Sequence, residues 1–79
     1  MTAKREAERI YHEYFDSELG RQRMEDAWLQ FPEHRSGEGD MVNAADFVIE
    51  GIAAHVGDRA DWTAIEAELR PMVEAGLQA

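Results

Sequence analysis

Apolar side chains recur every three or four residues along most of the chain, the spacing that places them on one side of an α-helix. No segment alternates polar and apolar residues over the four to eight positions that a half-buried strand requires. The pattern therefore predicts an all-α fold, a small single-domain bundle of three or four helices. The predicted helices span about residues 3–18, 21–31, 44–56 and 60–75.

Residues with helix-capping and helix-breaking properties set the ends of the first two predicted helices. Thr2 is suited to cap the first helix, and Gly20 is suited to end it between residues 17 and 20, although a bent continuous helix is the alternative. Pro32 disfavours helical geometry at the residue before it, so we expect the second helix to end near Phe31. The polar segment that follows, residues 32–40, is predicted to be a loop.

The last two predicted helices have their own boundary signals. Asn43 followed by Asp46 approximates a capping box for the third helix, and Gly57 is placed to close it. Asp58 or Asp61 can cap the fourth helix. Pro71 lacks the N–H that would bond to the carbonyl four residues earlier, so we expect a kink or a restart of the helix there.

The third predicted helix is apolar on two sides. One side carries the residues expected in the core, Ala45, Val48, Ile49, Ile52 and Val56. Phe47, Gly51 and Ala54 line much of the opposite side. A helix of this kind is usually buried by its neighbours, which favours a central position in the bundle. The alternative is a patch around Phe47 that contacts a second copy or another protein.

Charge is distributed unevenly along the chain. The formal net charge is -9, of which -2 belongs to residues 1–35 and -7 to residues 36–79. An anionic half attracts a basic surface and repels nucleic acid that competes for it. We therefore predict partner binding by five acidic side chains, Asp46, Glu50, Asp58, Asp61 and Glu66, together with Phe47 on the second apolar side of the third helix. The alternative is a solvated face, because excess charge alone also keeps a small protein soluble.

Composition and length narrow the functional classes. A chain of 79 residues forms one domain with a thin core, which argues against a deep substrate cavity. There is no cysteine, so disulfides and thiolate metal sites are excluded. Neither a signal peptide nor a membrane span is recognisable, and we expect a cytoplasmic protein. The acidic balance disfavours direct binding to nucleic acid.

One side-chain constellation could in principle serve a metal or a proton relay. Glu8, His12 and Asp16 follow at i, i+4 and i+8 and so share a helix face. Such spacing is also routine for surface salt bridges on a helix. Glycine-rich phosphate loops, nucleophile elbows and zinc-binding patterns are absent from the sequence. We therefore predict no catalytic site, no metal site and no cofactor.

These features favour a protein-binding module over an enzyme. Small acidic all-α chains resemble, in type and not by any motif, the immunity, antitoxin and phage anti-defence inhibitors that occupy another protein's functional surface. The leading hypothesis is inhibition or regulation of a larger protein through its basic, nucleic-acid-binding surface, which the acidic half would mimic. The alternative is a structural or accessory subunit that uses apolar helix surfaces in a homodimer or larger complex.

Overall fold

The computed structural model describes residues 2–33 and 38–78 and contains four helices. They are α1 (Ala3–Asp16), α2 (Glu18–Gln30), α3 (Glu38–Val56) and α4 (Trp62–Gln78). The described ranges contain no strand, and the predicted all-α bundle is confirmed. None of these helices is long and apolar enough to cross a membrane.

The boundary between α1 and α2 is a single residue, Ser17. Thr2 caps α1 as predicted, its hydroxyl accepting a hydrogen bond from the N–H of Arg5 at 3.2 Å. At the other end Ser17 donates its N–H to the Tyr14 carbonyl, while its hydroxyl accepts from the N–H of Gly20 and caps α2. The prediction that Gly20 ends the first helix is therefore wrong, because this glycine lies in the first turn of α2. The bent continuous helix is replaced by two helices that meet at a cap.

Helix α3 begins at Glu38, six residues before its predicted start. Asn43 lies inside the helix and is not part of a capping box, and residues 38–40 are helical rather than part of the predicted loop. The apolar stripe explains the earlier start, since Met41, Ala44, Ala45 and Val48 already follow the i, i+3, i+4, i+7 pattern and contact the core. The predicted loop residues 34–37 lie outside the described residues.

The end of α3 agrees with the prediction, whereas α4 is longer than predicted. Gly57 closes α3 as predicted, with a positive φ of 83° and its N–H bonded to the Ala53 carbonyl at 2.9 Å. Helix α4 runs through Pro71 without a restart, with this proline exposed on the outer side. It extends past the predicted end because Leu77, which is fully buried, continues its apolar stripe.

The core lies where the apolar stripes of all four helices meet. Helix α1 packs against α2 and α4, and α3 packs against the same two helices and, less extensively, against α1. The largest fully buried side chains of the core come from α1, α3 and α4: Tyr14, Val48, Ile52, Ile65, Leu69, Val73 and Leu77. Helix α3 contacts the other three helices, but α1 does so as well, so the predicted central position of the third helix is wrong: among the described residues the four helices pack as a ring in which α1 and α3 are equivalent.

Candidate functional site

Three of the five predicted acids converge in a groove between α3 and α4. Asp46 and Glu50 are one turn apart on α3, and Glu66 faces them from α4. Trp62, one turn before Glu66 on α4, lines the same groove. We call this site the acidic groove; it has a volume of about 250 Å³ and is lined by Asp46, Ile49, Glu50, Ala53, Trp62 and Glu66.

One arginine of the chain shares the acidic groove. The guanidinium of Arg70 lies 2.7 Å from Asp46 Oδ1 and 3.8 Å from Glu66 Oε1. Both Asp46 and Arg70 are substantially exposed, and ion pairs of this kind contribute only about 0–1 kcal/mol. Three carboxylates against one guanidinium leave the groove with a local charge of -2. Arg70 was not predicted as a site residue, although its i,i+4 spacing from Glu66 was visible in the sequence.

Glu50 is the most exposed of the three carboxylates in the acidic groove. It is exposed and forms no ion pair or side-chain hydrogen bond with any residue that the structure describes. Because it lies one turn after Asp46, it extends the negative charge along α3 beyond the reach of Arg70.

The other two predicted acids do not lie in the acidic groove. Asp58 is exposed in the α3–α4 connection, and Asp61 precedes α4, where both its carboxylate oxygens accept hydrogen bonds from Arg59 at 2.8 Å. These bonds hold the pKa of Asp61 below its ordinary value. The structure therefore divides the predicted set into a convergent group of three acids and two acids near the start of α4.

Arg59 also contacts a carboxylate that the sequence analysis did not select. Its guanidinium lies 3.1 Å from Glu6, which is only 9% exposed and is bonded to Arg9 as well. The hydrogen bond from Arg9, followed by that from Arg59, keeps the pKa of Glu6 below its ordinary value. The available signal was the position of Glu6 one turn before Ile10, within the apolar stripe of α1. This cluster joins α1 to the α3–α4 connection.

Phe47, the predicted apolar contact residue, packs against α2. The guanidinium carbon of Arg23 lies 3.7 Å from the centre of its ring, and Arg23 Nε donates to the Phe47 carbonyl at 2.9 Å. The Phe31 ring contacts Phe47 edge-on, and Gly51 leaves room for the Arg23 side chain. Phe47 is therefore partly buried in the contact between α2 and α3, and its predicted role in partner binding stays a prediction. The homodimer or accessory-subunit alternative stays a prediction.

A second groove lies on another side of the bundle. Tyr11 and Phe15 of α1 and Met24 and Trp28 of α2 form apolar walls around a volume of about 570 Å³. Arg21, Glu25 and Gly76 complete the lining, and we call this site the aromatic groove. The sequence analysis had not assembled these residues into a site, although their i,i+4 spacing within each helix was visible.

The Glu8, His12 and Asp16 face does not form a metal cluster. Within residues 2–33 and 38–78, no three histidine or carboxylate side chains are arranged to hold a metal ion. The His12 side chain is exposed and its ring contacts Tyr11.

No protein family matches the chain, and no curated protein or solved structure matches it. Functional assignment therefore depends on the two grooves and the charges around them.

Proposed function

We propose that this chain is a small protein-binding module that inhibits or regulates a larger protein by docking its acidic groove on a basic surface, of the kind that binds nucleic acid. The observation that carries the proposal is the convergence of three carboxylates from two helices beside Trp62, with one arginine as counter-charge. The activity belongs to the cytoplasm and involves neither direct nucleic-acid binding nor a membrane.

The chemistry of the groove suits a lysine or arginine side chain of the partner. Carboxylates form charge-assisted hydrogen bonds with ammonium and guanidinium groups, and these are stronger than neutral ones. Trp62, which is partly buried, also lines the groove, and a tryptophan ring attracts the same cations. Glu50 can bind such a side chain without giving up another contact. Asp46 and Glu66 would give up their exposed contacts with Arg70 and form ion pairs with the partner instead.

The charge of the whole chain supports the same choice of partner. The net charge of -7 in residues 36–79 already includes Arg59 and Arg70, so internal pairing does not reduce it. Such a field accelerates encounter with a cationic surface and weakens as salt is added. A bound copy of the chain would also repel the phosphates that compete for the surface. This arrangement supports inhibition by occupation of the partner's surface, as in immunity, antitoxin and anti-defence proteins.

The proposal is tested by affinity capture from the native host with three baits. The first is the unaltered chain, the second carries Glu50→Lys and the third carries Asp58→Lys. Both replaced acids are exposed and unpaired among the described residues, and both substitutions change the net charge equally. Circular dichroism of the three baits confirms equal folding before capture.

The expected result is a nucleic-acid-binding protein retained by the unaltered chain and by Asp58→Lys, released in high salt and lost with Glu50→Lys. The purified partner should lose its affinity for nucleic acid when the unaltered chain is added. Equal retention by all three baits would remove the acidic groove from the interface. Equal loss with both variants would show that overall charge, and not the groove, determines binding.

A further inference from the structure

The aromatic groove has the shape of a trough between two helices. Tyr11 and Phe15 lie one turn apart on α1, and Met24 and Trp28 lie one turn apart on α2, so the walls follow both helices. A Cβ on Gly76 of α4 would lie 2.6 Å from the Tyr11 hydroxyl and 3.4 Å from the Met24 methyl. The glycine therefore leaves room for both side chains beside the trough.

The walls are held in place from within the fold. The Trp28 indole N–H donates to the Leu77 carbonyl in the last turn of α4 at 3.3 Å. The rings of Tyr11 and Phe15 contact each other with centroids 4.7 Å apart. Trp28 nonetheless remains 39% exposed. Tryptophan is one of the residues that are enriched at interface hot spots.

Two oppositely charged side chains of α2 line the trough. Arg21 and Glu25 lie one turn apart on α2, and neither forms an ion pair with any described residue. The Arg21 guanidinium donates one hydrogen bond within residues 2–33 and 38–78, to the Asp16 carbonyl at 3.3 Å. The Tyr11 hydroxyl likewise makes no hydrogen bond with the described residues.

We propose that the aromatic groove binds a basic amphipathic helix of a partner protein. The apolar side chains of this helix, at i, i+3 or i+4 and i+7, enter the trough between α1 and α2. A lysine or arginine of the helix faces Glu25, and its C-terminal end, which carries the negative end of the helix dipole, faces Arg21.

Charge and shape select this occupant over two others. A second copy carries the same net charge of -9 and is repelled, whereas a basic helix is attracted. A small molecule needs a site that encloses most of its surface, but the exposure of Trp28 shows that the trough is open. The inference concerns a different face from the acidic groove and does not depend on it.

The two tryptophans of the chain allow each groove to be observed alone. Trp28 lies in the aromatic groove and Trp62 in the acidic groove, so the Trp62→Phe variant reports on the aromatic groove only. The probe is a synthetic helix of about 14 residues, or four turns, with leucine on one face and lysine on the other. The control peptides are one with the same composition in scrambled order and one with glutamate in place of lysine.

We expect saturable binding of the leucine–lysine helix in the Trp62→Phe variant, with a blue shift of the Trp28 emission as its ring leaves water. Adding Glu25→Lys should weaken binding about three- to tenfold, the loss expected when an attractive contact at an interface rim becomes repulsive. Asp58→Lys, which changes the net charge equally but lies in the α3–α4 connection, should have a smaller effect. Glu50→Lys, which also changes the net charge equally and lies in the acidic groove, should have the same small effect as Asp58→Lys.

Several results would overturn the inference. Equal binding of the scrambled peptide would show that charge alone attracts the probe, and equal binding of the glutamate peptide would exclude a preference for a basic helix. Equal effects of Glu25→Lys and Asp58→Lys would remove the proposed contact with Glu25. Loss of the Trp28 signal with Glu50→Lys would place the peptide in the acidic groove. Sedimentation showing a dimer that the peptide dissociates would assign the trough to a second copy.

Discussion

Replacing Gly20 by alanine tests the close contact that joins α1 to α2. An added Cβ would lie 2.5 Å from the Tyr14 carbonyl carbon and 3.1 Å from Phe15 Cα, and closer still to the Tyr14 carbonyl oxygen. Carbon atoms in good contact are about 3.5–4.0 Å apart. Because the obstacles are backbone atoms, no side-chain rotation relieves the clash, and the two helices must separate by roughly 1 Å or more at the junction.

The expected cost follows from the contacts that this separation disturbs. Weakening the Ser17 cap on the Gly20 N–H costs about 1 kcal/mol. Disturbing the bond from the Ser17 N–H to the Tyr14 carbonyl costs about 1 kcal/mol more. Packing strain adds about 1–3 kcal/mol, and the better helix propensity of alanine returns at most about 1 kcal/mol. We therefore expect a net loss of about 2–4 kcal/mol, out of a total stability of about 4–12 kcal/mol for a chain of this length.

Urea and thermal unfolding followed by circular dichroism measure this loss. For a domain of this size, a loss of about 2–4 kcal/mol lowers Tm by about 10–30 °C. The comparison variant is Gly57→Ala, where nothing lies within 4 Å of the added Cβ and only the positive φ of 83° is unfavourable. That variant should lose about 1–2 kcal/mol. Gly20→Ala as stable as the unaltered chain would refute the geometry of the α1–α2 junction.

Two further substitutions test the core and the buried carboxylate. Leu69→Ala removes a fully buried side chain and should lower the free energy of unfolding by about 2–5 kcal/mol in urea, and a loss under 1 kcal/mol would contradict its place in the core. The pKa of Glu6 is lower in the folded than in the unfolded chain, first because of the hydrogen bond from Arg9 and then because of Arg59. Its stabilisation is therefore complete above the ordinary glutamate pKa of about 4.3 and is lost as pH falls through the lower folded value. The stability difference between the unaltered chain and Glu6→Gln should accordingly shrink between neutral pH and pH of about 3, and a difference independent of pH would argue against this contact.

The helices could be predicted from the sequence because their apolar stripes are regular. The stripe of α4 from Ile65 through Leu69 to Val73 indicated its position directly. The predicted ends were less accurate where they depend on tertiary contact. Gly20 is a residue type that often ends a helix, but here it allows α1 and α2 to approach each other closely. No local sequence pattern specifies how closely two helices approach. Asn43 is a residue type that often caps a helix, but α3 begins before it because Met41 and Ala44 both pack in the core.

The candidate site was predictable only within each helix. The spacing of Asp46 and Glu50 placed them on one face of α3. Their convergence with Glu66 and Trp62, and the contact with Arg70, depend on the rotation of α3 against α4, which hydrophobic periodicity leaves undetermined. The aromatic groove was not predicted for the same reason: its walls come from α1 and α2 and Gly76 comes from α4, so the groove depends on how three helices pack together.

The affinity of the acidic groove for a defined cationic ligand tests the central claim most directly. In the Trp28→Phe variant, Trp62 is the only tryptophan, and a short oligoarginine peptide is the ligand. We predict saturable, salt-sensitive binding that changes the Trp62 fluorescence, weakens strongly with Glu50→Lys and weakens little with Asp58→Lys. An unchanged Trp62 signal, or equal weakening by the two charge reversals, would contradict the assignment of the groove as the site that recognises a basic partner.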